Sequence, residues 1–184
     1  MRFIEELRAA LAAQLATLGA LTPDQLAVAS ACPDWSVGQV TDHSLGVTNK
    51  FTAFADGATD APRTPAGPQF VGSPGPALRA AGRASDLAWA SCDPARRCEL
   101  PFGTFPAELA AGINLFDVLA HTWDAASPLG LQIRCADSIW EAGLAAARAV
   151  IDGGRDLAHY GSAHAVDPAA PAATHFLAYL GRVG

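Results

Sequence analysis

Asp117 and His121 stand four residues apart in the segment NLFDVLAHTWDAA (114–126), which otherwise reads as buried helix. Residues four apart on a helix lie almost one above the other, so a carboxylate and an imidazole are presented to one point in space. Leu109, Ala110 and Ile113 precede them on that face and Asp124 follows. Among such neighbours an unpaired carboxylate would cost several kcal/mol, and something must compensate it. One solution is a hydrogen bond between Asp117 and His121 within the helix. The other is a shared cation, and His43 favours it. In DWSVGQVTDHSLGVTNKF (34–51) that histidine lies beside the apolar stripe of Val37, Val40, Ser44, Val47, Phe51 and Phe54, so a facing helix could deliver it to the same point. Two histidines and one carboxylate from two helices, with further positions open, form the ligand set of a catalytic zinc-type or non-haem iron-type site. Spacing does not separate zinc from nickel or iron; zinc is taken first.

The elements that must carry these residues announce themselves by their starts. Thr22-Pro-Asp-Gln25, Ser36-Val-Gly-Gln39 and Ser138-Ile-Trp-Glu141 each place a hydroxyl three residues before Gln or Glu, the pattern by which two side chains satisfy exposed backbone N–H groups at a helix N-terminus. Helices are predicted over 2–19, 23–30, 37–56, 74–91, 106–126 and 138–152, with a short one over 172–180. Gly57, Gly153 and Gly181 fall where C-terminal caps belong. The stretch GATDAPRTPAGPQFVGS (57–73) is too long and too rich in Pro and Gly for a tight connection, and reads as a loop that could cover a site. In CDPARRCELPFGTFP (92–106), RRCELPF suggests a short extended segment before Pro106 restarts a helix, but no run alternates long enough to predict a sheet. The long helices carry apolar stripes, and a single all-α bundle over residues 1–184 follows.

Composition agrees with this and excludes other classes. At 184 residues, 51% hydrophobic and 16% charged, the chain can bury a core as one domain. A net charge of −6 and a pI near 5.2, with no run of basic residues interleaved with aromatics, exclude a nucleic-acid footprint. Eleven Arg against one Lys (Lys50), with abundant Ala, hint at a GC-rich bacterial source. Glu5, Glu6 and Arg8 interrupt the apolar N-terminal stretch, and Ile4, Leu7, Leu11, Leu15 and Leu18 recur at helical spacing, so it reads as an amphipathic helix rather than a signal peptide. No run reaches the roughly 20 apolar residues of a membrane span, and a cytoplasmic location is expected. There Cys32, Cys92, Cys98 and Cys135, scattered without a C-x-x-C pair, would stay reduced and serve as small core or loop residues. His159, His164 and His175 read as solvated or loop residues.

Three motifs carry a resemblance. CPDWSVGQVTDHSLG from Cys32 is close to C-P-x-W-S/T-V-x-x-L-x-x-H; LPFGTFPAELAAGINLFDVLAHTWDAA from Leu100 is close to L-P-F-G followed by D/E-x-x-x-H-x-W-D-L/A-A; and FLAYLGR from Phe176 is like a closing L-L-A-x-L-G-R. The chain thus resembles the DinB-like metal-binding superfamily, in the actinobacterial branch related to the N-terminal domain of mycothiol-dependent maleylpyruvate isomerase. The resemblance implies an up-down-down-up four-helix bundle, with short extra helices and long loops, holding a divalent metal on His43, Asp117 and His121. Asp117 stands where that family often has Glu. Trp35 and Trp123 match aromatics expected to pack, and Asp124 is expected to sit at the helix end and orient a ligand histidine. The isomerase carries a further C-terminal domain that contributes to its active site, and this sequence closes at Gly184, so maleylpyruvate isomerisation itself is not expected.

The expected function is that of an enzyme whose open-coordinated metal activates a low-molecular-weight thiol, mycothiol in an actinobacterium, or water, for transfer to or isomerisation of an electrophilic small molecule. Arg63, Arg96 and Arg97, in the two irregular stretches, are candidates to bind an anionic substrate or the thiol's polar groups. Two alternatives stand beside it: a metal-dependent cyclase or isomerase of a secondary-metabolite pathway that uses no thiol, and a non-catalytic metal-binding bundle, whose structural site would be closed by a fourth protein ligand. Pairing of two bundles into a homodimer is an open arrangement.

Overall fold

The computed structural model describes residues 2–58, 67–93, 95–100, 103–154 and 160–183. In chain order these form α1 (Arg2–Leu18), α2 (Pro23–Leu26), α3 (Val37–Asp56), α4 (Gly75–Ser91), β1 (Arg97–Leu100), β2 (Gly103–Pro106), α5 (Ala107–Ala126), α6 (Asp137–Ile151) and α7 (Ala172–Tyr179), with a single 3-10 turn at Ser127–Leu129. The fold is the expected all-α bundle.

Two capping boxes fix where helices begin. Ser36 Oγ accepts from Gln39 N at 3.2 Å while Gln39 Oε1 accepts from Ser36 N at 2.8 Å, and the same exchange between Thr22 and Gln25 starts α2. The Ser36 box sets the phase of α3 two turns before His43. Gly57 ends α3 in the left-handed conformation at φ 109°, as a C-terminal glycine should. The Ser138 box does not form: α6 begins at Asp137 behind Ala136, which leaves Ser138 inside the first turn, where Asp137 supplies the negative charge instead. Nor does Gly153 adopt a left-handed cap. The helix expected over 23–30 stops at Leu26, because the chain reverses through Pro33 and Asp34 (φ 65°) and pairs Ala29 with Ser36.

Close pairs along the helices give the topology. Phe3 N donates to Glu108 at the start of α5, Arg8 reaches Asp86 of α4, and Ala31 N, just ahead of α3, donates to Asp124 O near the end of α5. Thus α1 and α5 run one way, α3 and α4 the other, an up-down-down-up order. Because α3 and α4 are parallel, their connection must return the length of a helix of about 30 Å. Of the Pro/Gly-rich stretch between them, residues 59–66 lie outside the described residues. Ahead of α5, β1 and β2 pair antiparallel, Arg97 opposite Pro106 and Leu100 opposite Gly103, a hairpin where no sheet was expected. Cys98 and Leu100 point inward and Arg97 and Glu99 outward, an alternation only four residues long.

The apolar faces meet as the stripes require. α5 packs against α1, α3 and α6, and α7 closes over α6. One core gathers Phe54, Trp89, Leu115, Phe116, Trp140 and Phe176; a second, holding Leu18, Val37, Val40, Leu45, Leu78 and Ala125, occupies the end where α3 starts and α5 finishes. Each fully buried aliphatic side chain there contributes about 1.5–3 kcal/mol relative to exposure, so the ends that carry His43 and His121 are held rigidly. All four cysteines are free thiols. No helix among the described residues is long and apolar enough to cross a membrane.

Candidate metal centre

The antiparallel contact of α3 and α5 brings His43, Asp117 and His121 together. One ligand atom from each lies within 4.8 Å of the others, and His121 Nε2 is 3.6 Å from Asp117 Oδ1. Two ligands bound at 2.0–2.2 Å to one cation stand about 3–4 Å apart, so the spacing suits a transition-metal ion. The rings of His43 and His121 meet edge-on, centroids 5.0 Å apart, and those of Trp35 and His43 do likewise at 5.0 Å. Asp117 Oδ2 is buried and has no hydrogen-bond partner. That orphaned oxygen is the test of fit, because a buried carboxylate oxygen without a donor is costly and a cation would satisfy it.

Behind His121 lies a built support. Its Nδ1 is 2.9 Å from Asp124 Oδ2, which leaves Nε2 for the site. Asp124, 1% exposed, is gripped in turn by Arg182: Nε donates to Oδ1 and Nη2 to Oδ2, both at 2.7 Å. Arg182 follows α7 and Gly181, so the tail reaches across the bundle end to hold the carboxylate that orients the histidine. Asp124 lies against His121 near the end of α5, the position expected of it, whereas Arg182 is a partner that the sequence does not single out, although the closing L-G-R motif contains it.

The charges follow from this packing. Burial pushes the His43 imidazole below its usual pKa, with Asp117 pulling the other way, so the ring favours its neutral, ligating form. For His121, burial likewise favours the neutral ring, but the Asp117 charge and the Asp124 hydrogen bond together prevail and the pKa rises. Burial would raise the Asp124 carboxyl, yet the Arg182 and His121 hydrogen bonds hold it below its ordinary value.

Other expected residues fall elsewhere. Arg96 Nη1 donates to Ala55 O, capping the far end of α3, about 18 Å along the helix from His43. Arg97 Nη2 donates to Thr104 O across the hairpin. Both are occupied structurally rather than placed at the triad, and Arg63 lies outside the described residues. Trp35 is 37% exposed, more a wall than a core residue. His164 is exposed, as expected, whereas His175 is half-buried on α7 rather than a solvated or loop residue, and His159 is outside the described residues.

Two hollows meet at the triad. A cavity of about 150 Å³ is lined by Asp117, His121, Phe116, Tyr160 and Arg182, and a groove of about 520 Å³ by Trp35, Asp42, Pro68 and Phe70; His43 borders both.

Over residues 7–126 the chain matches the model of the mycothiol maleylpyruvate isomerase N-terminal domain family. It belongs to that family. The match spans both helices of the His43/Asp117/His121 group, and a family named for a mycothiol-linked isomerase is the setting in which its ligand pattern was expected. Two similar proteins are the uncharacterized proteins of Mycobacterium tuberculosis strains CDC 1551 / Oshkosh and ATCC 25618 / H37Rv, each 28% identical over 136 residues, covering 74% of this chain and 72% of theirs. No solved structure matches the chain.

Proposed function

We propose that this chain is a divalent-metal-dependent enzyme in which His43, Asp117 and His121 hold the ion and an electrophilic small molecule is attacked by a low-molecular-weight thiol or by water. The observation that carries the reading is the unpartnered, buried Asp117 Oδ2 inside a group of three donors drawn from two helices. Zinc suits two imidazoles and a carboxylate, and nickel or iron(II) would accept the same set. Bound there, such an ion supplies Lewis acidity and lowers the pKa of a thiol or water at its open positions.

The chain's own residues supply the rest. Asp124 and Arg182 fix the tautomer and direction of His121. Phe116 and Tyr160 wall the inner cavity, whose 150 Å³ is the size that holds one benzene-sized body, so only the reactive end of a mycothiol-like cosubstrate would fit it. The three donors adjoin the cavity lined by Phe116 and Tyr160, where water or a substrate could occupy a further position of the ion, as in a catalytic site. The thiol-free cyclase or isomerase reading uses the same centre and differs only in its nucleophile.

Elemental analysis of the purified protein beside an Asp117→Ala/His121→Ala variant tests the centre: about one divalent ion per chain is expected in the first and none in the second. Thiol-dependent turnover of an electrophile, lost in His43→Ala, tests the chemistry. Full activity in His43→Ala would sink the proposal, and turnover that persists without thiol would move it to the alternative.

A further inference from the structure

The groove outside the triad has a chemical character of its own, and it is opposite to that of an anion site. Trp35, Pro68 and Phe70 line it together with Gly38, Gln39 and Asp42, and His43 borders both it and the triad cavity. Segment 68–70 is pinned in place: Gln69 N donates to Asp42 Oδ1 at 2.6 Å, and Asn49 Nδ2 donates to Gln69 Oε1 at 3.2 Å, so α3 holds the segment that presents Phe70 from two points. At about 520 Å³ it lies within the range of small-molecule sites, which are typically apolar with few polar groups. Among the described residues Asp42 is the one carboxylate that lines it, and no Arg or Lys does.

We propose that this groove binds the body of the electrophilic substrate, and that it selects a flat, apolar molecule that is uncharged or carries a cationic or hydrogen-donating group toward Asp42, and rejects an anionic one. Two aromatic side chains in the lining favour a planar ring, because offset and edge contacts with Trp35 and Phe70 add to the apolar area buried. A carboxylate in the same place would meet Asp42 with no Arg or Lys among the described lining residues to balance it, whereas an ammonium or N–H group would meet an acceptor. His43, shared between groove and cavity, sets the distance at which the substrate's reactive end faces the metal centre. The inference rests on the proposed metal chemistry for its meaning as a substrate site, but the binding itself needs no metal.

The test uses three probes of one size, benzylamine, benzyl alcohol and benzoate, titrated into the metal-free full chain while the indole N–H signal of Trp35, assigned with Trp35→Phe, is followed by NMR. Benzylamine and benzyl alcohol are expected to shift that signal, with benzoate at least about fivefold weaker than the amine. Asp42→Asn keeps the acceptor for Gln69 N and removes the charge, and is expected to bring the amine to within about twofold of the alcohol. Phe70→Ala should weaken both by about fivefold or more. Benzoate binding as tightly as the amine, and losing its affinity in Arg63→Ala, would overturn the charge assignment. Absence of any shift at Trp35 with all three probes would overturn the groove as a site. Zinc binding measured on the same samples keeps the two readings apart: a protein that binds zinc and no probe refutes the groove alone, and one that binds probes and no zinc refutes the metal centre alone.

Discussion

Arg182 holds both carboxylate oxygens of Asp124 at 2.7 Å, and Asp124 holds the ring of His121. A residue on the tail thereby sets the direction of a donor on α5 without touching the ion it would hold. Arg182→Ala leaves a buried carboxylate with one partner instead of two, which should cost about 3 kcal/mol of stability. Removing support of this kind typically lowers metal affinity about 10–100-fold. Arg182→Lys should recover only part, since an ammonium cannot grip two oxygens in a fork. Zinc titration against a competing chelator, with thermal melts of the metal-free proteins, checks both numbers; unchanged affinity in Arg182→Ala would show the clamp to be structural only.

Gly181 controls the same clamp from the backbone. Its φ is +80°, and a Cβ added there would lie 2.6 Å from Gly161 Cα and 2.7 Å from Gly161 C, backbone atoms that cannot swing aside. The strained conformation alone costs about 1–3 kcal/mol in a residue with a side chain. Gly181→Ala should therefore lower zinc affinity in the same direction as Arg182→Ala, although Arg182 is present. The double variant should be no worse than the more damaging single one, because both act through one contact. Additive losses would place Gly181 outside this path.

The sequence carried the parts of the site that are local. Asp117 and His121 share a helix face by spacing alone, the Ser36 box phased α3, and the apolar stripes predicted the bundle. What it did not carry depends on partners far along the chain. Arg182 pairs with a residue 58 positions away, and nothing in its neighbourhood marks it beyond a closing motif. Arg96 looked available in its loop, but Ala55 O, 41 positions earlier, occupies it. The hairpin escaped because β1 alternates over only four residues and β2 does not alternate at all, too little to distinguish from a loop. That α3 and α4 run parallel, and so need a long connection, is likewise not revealed by composition.

The pH dependence has opposing limbs. Asp124 titrates lower in the fold than the ordinary 3.8, so its contribution is present above that value and lost as pH falls through its folded pKa. His121 titrates above 6.5 in the fold; its contribution is full below 6.5 and lost as pH rises through the folded value. His43 titrates below 6.5, so charging it opposes folding as pH falls below 6.5. Metal reverses the balance at His121, because the ion competes with its proton. Zinc affinity should rise about tenfold per pH unit until that proton is lost and then level off. Chelator-competition titrations from about pH 6 to about pH 8 read this directly, and a flat profile would exclude His121 as a ligand.

Asp117 offers the sharpest separation between a metal ligand and a buried hydrogen-bond partner. Zinc at a hundred times its dissociation constant should stabilise the protein by about 2.7 kcal/mol, roughly 5–10 °C in a domain of this size. Asp117→Asn keeps the shape and removes the charge, and should abolish that shift. In the metal-free protein at about pH 8, where His121 is closer to neutral, the same change removes a buried charge whose Oδ2 has no partner, so the melting temperature should hold or rise. A metal-free variant that melts several degrees lower would mean that Asp117 serves the fold through His121, and the carboxylate would then need no cation to account for its place in the bundle.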